Sequence, residues 1–76
     1  MWNYRIINVS DEEQEELEIQ EVYYDRKGEP YAHCRGEVFG IDLQELDHVL
    51  THMRDALDKP ILTAANFTGD PNDDTI

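Results

Sequence analysis

Seventy-six residues, 39% of them hydrophobic, make one domain with a thin core, because a chain this short buries only about 60% of the surface it exposes when unfolded. Eighteen Asp and Glu against six Lys and Arg leave a net charge of -12, a field that repels phosphate backbones and anionic lipid headgroups and so excludes direct nucleic-acid binding and electrostatic membrane attachment. Too little apolar material remains to enclose a deep pocket, which argues against an enzyme, and a single cysteine, Cys34, rules out an internal disulfide.

The opening run WNYRIINV, residues 2 to 9, is rich in aromatic and β-branched types and predicts a first strand. It lacks the basic lead and the long apolar stretch of a signal peptide, and no segment of the chain approaches 18 apolar residues, so a soluble cytoplasmic protein is expected. Residues 11 to 18 then hold six carboxylates. Like charges this dense repel along a helix, so a connecting loop is expected, with at most one helical turn for which Ser10 and Glu13 form a capping box.

Leu17 and Ile19 alternate with Glu18 and Gln20, the mark of a half-buried second strand. Asp25-Arg26-Lys27-Gly28 predicts a hairpin turn with a bulge, since Asp can bond the backbone that follows it and Gly can take positive φ. Pro30 opens the returning strand PYAHCRG, having no donor for a central ladder position. In that strand Cys34 shares a face with Ala32 and Gly36, and a small residue of the core is expected there rather than a reactive thiol.

The helix of residues 43 to 58 has the strongest signals. Asp42 is an N-cap with Glu45 three residues on, and Ile41 is placed to pack on Leu46 as a hydrophobic staple. Leu43, Leu46, Leu50, Met53 and Leu57, with Val49 beside them, form an apolar stripe that Pro60 ends. The expected fold is therefore α+β: a three-stranded antiparallel sheet packed by one C-terminal amphipathic helix, in the order β-β-β-α. Residues 1–62 form the single domain and residues 63–76 a flexible acidic tail.

Met1-Trp2-Asn3-Tyr4-Arg5, the strand Glu21-Val22-Tyr23-Tyr24-Asp25 with Gly28 and Pro30 in its turn, and Ala56-Leu57-Asp58-Lys59-Pro60 resemble a family of small bacterial proteins of strand-strand-strand-helix order whose function is uncharacterised. Gly40-Ile41-Asp42-Leu43-Gln44-Glu45-Leu46 is similar to the helix entry of HicB-type antitoxin domains. That second resemblance implies a partial ribonuclease-H-like fold without a catalytic centre, which binds and blocks a basic toxin.

Two groups of residues are candidate sites. With Leu50 as the centre of the buried stripe, His48 and His52 fall roughly 160° away at ~100° per residue, so they point to water in a row with Glu45 and Asp55. Two His four apart can chelate a divalent metal, but HVLTH lacks the Glu that a zinc-protease motif places after its first His, and an exposed partner-binding face is the preferred reading. Asp11, Glu12, Glu13, Glu15 and Glu16 form the second candidate, an acidic surface facing a partner. No residue is assigned to catalysis or to a cofactor.

The leading functional expectation is a noncatalytic interaction module that binds and inhibits a basic protein, either nucleic-acid-binding or toxin-like. The alternative is a phage-type, anti-CRISPR-like inhibitor whose carboxylates mimic nucleic acid against a host defence system, and the third is a metal-binding protein using His48 and His52. Open sheet edges and the helix also lead to the expectation of a homodimer.

Overall fold

The computed structural model describes residues 1–74. Strands β1 (Trp2–Asn8), β2 (Leu17–Tyr24) and β3 (Pro30–Arg35) form an antiparallel sheet in the order β1-β2-β3, and helix α1 (Leu43–Asp55) follows, tightening into a 3₁₀ turn at Ala56–Asp58. The α+β architecture is the one the alternation and the capped stripe predict. The molecule is flat, 41 × 36 × 19 Å, as two layers of secondary structure require.

Each connection has a local cause. Asp11 organises the acidic one: its carboxylate accepts the backbone N–H groups of Glu13 and Gln14, which holds its pKa below the usual carboxylate value. Ser10 does not cap a helical turn there; its hydroxyl accepts the N–H of Glu16 at 2.9 Å, and the run is a loop. In the hairpin, Asp25 Oδ1 accepts the N–H groups of Lys27 and Glu29, Gly28 sits at φ 83°, where L side chains are disfavoured, and the register slips at Tyr23/Tyr24 as a bulge.

Asp42 caps α1 by accepting the N–H of Glu45 at 2.8 Å. The hydrophobic staple does not form, because Ile41 is 90% exposed. Gly40 occupies that space instead, so close that a Cβ on it would lie 2.9 Å from the Leu46 nitrogen.

The sheet presents two apolar faces. On one, Tyr4 and Ile6 of β1, with Ile19 opposite Ile6, pack against Val49, Met53 and Ala56. Leu50, the expected centre of the buried stripe, is 53% exposed. The buried line is centred on Val49 and Met53, so the helix is rolled relative to that expectation and Leu43, Leu50 and Leu57 lie along one exposed flank. The helix packs chiefly on β1, which leaves Cys34 on the edge strand β3 exposed rather than in the core.

The opposite face carries Ile7 and Val22, both buried, and the segment after the helix covers it. Leu62 pairs in parallel with Ile7 at the free edge of β1, and Phe67 meets the His33 ring on β3 at 4.5 Å. The residues between them must therefore cross the sheet from one edge to the other. Gly69 then donates to the Pro30 carbonyl and Asp70 to the Asp25 carboxylate. Residues 75 and 76, the end of the expected acidic tail, lie outside the described residues.

Candidate functional site

The roll of α1 decides where its polar residues go. Glu45, His48, His52 and Asp55 are exposed, as helical spacing predicts, and they line an open groove of about 660 Å³ with Trp2, Asn3, Tyr4, Val49 and Lys59. Helical spacing sets the histidines on the opposite side of α1 from Leu50, and Leu50 is itself exposed rather than buried. Val49 and Leu50 are both apolar, and only the tertiary contact with Tyr4 and Ile6 selects Val49 as the inward residue.

The groove has one aromatic wall. Trp2 and Tyr4 stand on the same face of β1 with their rings edge to face, centroids 5.2 Å apart, an arrangement favoured by the ring quadrupoles. Trp2 also meets Tyr23 at 6.5 Å. Burial, with a smaller contribution from Glu21, raises the Tyr4 pKa, so Tyr4 is a neutral phenol at neutral pH. The Tyr23 hydroxyl donates to Glu21 at 2.7 Å, and this bond is the first cause of a Tyr23 pKa displaced far upward, ahead of burial and the nearby Cys34. The other wall is the helix, where the His48 and His52 rings lie 5.1 Å apart among the carboxylates of Asp42, Glu45 and Asp55.

Trp2 and Tyr4 carry a period-two signal, residues 2, 4 and 6 on one strand face, which could have joined them to the helix row once that row was placed. The five loop carboxylates are not part of this groove. Asp11, Glu12, Glu13, Glu15 and Glu16 are exposed beyond the far end of β1 from Trp2, roughly 20 Å away at ~3.3 Å per strand residue. Among the described residues no group of three or more His, Cys, Asp or Glu is arranged to hold a metal ion, and no helix is long and apolar enough to cross a membrane.

A second polar cluster lies across β2 and β3. Arg35 donates to Glu18 at 2.8 Å, Gln20 donates to the same carboxylate, and the Gln20 amide oxygen meets His33 Nδ1. These contacts, Arg35 first, bring the Glu18 pKa down to about 2, while Glu18 pushes that of its neighbour Glu16 up. The cluster ties β3 to β2 and lies against the C-terminal segment through His33 and Phe67.

A family model described as bacterial-like globin matches residues 11–69. The chain belongs to that family. No curated protein and no solved structure matches it. Membership in this family overturns the resemblances to the small uncharacterised family and to HicB-type antitoxins, and with them the antitoxin-like inhibitor of a basic protein, the phage-type nucleic-acid mimic and the dedicated metal binder. The helix entry that carried the antitoxin resemblance is a pattern that any capped amphipathic helix meets. The match is one of sequence: a globin fold packs eight helices pairwise, whereas the matched segment here runs through β2, β3 and a single α-helix.

Proposed function

We propose that this protein is a noncatalytic binder of a small ligand, held in the groove between β1 and α1, and that the ligand is a flat aromatic molecule carrying positive charge. The observation that carries this reading is the meeting of Trp2 and Tyr4 with Asp42, Glu45 and Asp55 in one groove. Aromatic faces attract cations, and carboxylates beside them add a charge that the net -12 of the chain reinforces. His48 and His52 supply hydrogen bonds at the rim. Family membership supports ligand binding as a class of function, and the exposed free thiol of Cys34 suits a reducing cytoplasm.

Haem, the group that a globin family implies, does not fit this groove. Either histidine could offer an axial nitrogen, but the ring needs apolar walls on both faces, and α1 is the only α-helix of the described residues. The propionates would meet Asp42, Glu45 and Asp55 with Lys59 as the one cation of the lining. Burying like charges together costs free energy that nothing in the groove offsets.

Trp2 is the sole tryptophan and lines the groove, so its fluorescence reports occupancy directly. Titration with the flat cation proflavine is expected to quench it saturably at one equivalent, with affinity falling as salt rises. The double variant Glu45→Gln/Asp55→Asn should weaken binding roughly tenfold or more. Stoichiometric binding of haemin with a Soret shift that depends on His48 or His52, and none of proflavine, would overturn the proposal.

A further inference from the structure

The flank of α1 opposite the groove is apolar and uncovered. Leu43, Leu50 and Leu57 are 84%, 53% and 61% exposed. Leu43 and Leu50, seven apart, stay within about 20° of one another at ~100° per residue, and Leu57 follows in the 3₁₀ turn that extends the helix. Phe39 and Ile41, in the connection that enters the helix, are also largely exposed. Monomeric proteins rarely leave such a set open to water. Together these five side chains offer roughly 600 Å² of apolar surface, close to the ~800 Å² per partner of a standard interface once a polar rim is added.

From this surface we infer that the chain forms a two-fold dimer by packing the Leu43-Leu50-Leu57 flank of α1 antiparallel against the same flank of a second copy. The seam is the leucine column, Leu43, Leu50 and Leu57, repeating every seven residues, with half-buried Leu46 at its edge and Met53 already taken up by the sheet core. Such a repeat lets side chains interdigitate between helices. A two-fold interface uses one patch on both subunits and closes on itself.

Charge selects the antiparallel arrangement. Asp47 and Arg54 both border the leucine column on its outer side, also seven residues apart. In an antiparallel pair centred on Leu50, Arg54 lies within one residue, ~1.5 Å along the axis, of Asp47 of the second copy. Two equivalent ion pairs result. A parallel pair would set Arg54 level with Arg54 and Asp47 level with Asp47. Arg54 makes no ion pair within its own chain among the described residues, so it is free for this contact. The groove with its histidines lies on the other flank of the helix and stays open in the dimer.

Sedimentation equilibrium of the full chain from about 1 to 200 µM tests the inference, over a range that resolves a micromolar dimer. A dimer is expected, and Leu50→Glu should raise its dissociation constant roughly a hundredfold while the circular dichroism of the monomer stays unchanged, since Leu50 is outside the core. Arg54→Asp should weaken the dimer, and adding Asp47→Arg to it should restore the affinity. A chain that is monomeric throughout, a dimer indifferent to Leu50→Glu, or a charge swap without recovery would each overturn it.

Discussion

The Asp25 carboxylate accepts the backbone N–H of Asp70 at 3.1 Å, across 45 residues of chain. Its other oxygen already accepts from Lys27 and Glu29, so one buried side chain closes the hairpin turn and anchors the C-terminal segment to it. Three N–H donors on one carboxylate stabilise the ionised form, and the Asp25 pKa lies below its ordinary value, led by the bond from Glu29.

The pH dependence follows from that shift. A carboxyl whose pKa is lower folded than unfolded contributes stability above the unfolded value, near ~3.9, and loses it as pH falls through the folded value. Thermal melts from pH 7 down to pH 2 should show the midpoint of the native chain falling below about pH 4. Asp25→Asn should have a lower midpoint at pH 7 and a flatter acid limb. An acid limb that Asp25→Asn leaves unchanged would show that other carboxylates govern it.

Gly69 is the backbone counterpart of this anchor. Its N–H donates to the Pro30 carbonyl, and a Cβ on it would lie 2.5 Å from the Glu29 carbonyl oxygen and 3.0 Å from that of Pro30. Both neighbours are main chain and cannot swing aside. Gly69→Ala should therefore destabilise by about 1–3 kcal/mol in urea unfolding, and hydrogen exchange should show the Asp70 amide losing protection. Gly28→Ala, which meets nothing within 4 Å but sits at φ 83°, separates the two causes of glycine preference: it acts by backbone strain alone.

Much of this was legible in the sequence because it is local. The Asp25-to-Gly28 turn, the Asp42 cap and the strand alternation each depend on neighbours a few residues apart, and each formed where those residues stand. The roll of α1 was not legible. Apolar residues at 43, 46, 49, 50, 53 and 57 span a wide arc, and which part turns inward depends on where Tyr4, Ile6 and Ile19 meet the helix. That placement brought Leu50 from core to surface and set the exposed Glu45, His48, His52 and Asp55 beside Trp2 and Tyr4 as groove lining. The cover over Val22 was hidden for a similar reason: TAANFTGD has the composition of a loop, and only its ladder contact at Leu62 and the ring contact at Phe67 hold it to the sheet.

The inward choice of Met53 gives the sharpest check on the helix orientation. Met53 is 6% exposed and packs with Tyr4, Ile6 and Ala56, and its terminal methyl would lie 3.3 Å from a Cβ on Gly36, so it fills the space between the helix and the end of β3. Met53→Ala removes a buried side chain from a core of very few residues and should cost about 2–5 kcal/mol in urea unfolding. Gly36→Ala should also destabilise the native chain, because its Cβ crowds both Met53 and the Ile19 carbonyl oxygen, 3.2 Å away. In the Met53→Ala background the side-chain crowding is gone, so the two changes should be less than additive, as contacting sites are. Additive losses, or a Met53→Ala cost below about 0.5 kcal/mol as for surface sites, would mean that another face of α1 meets the sheet.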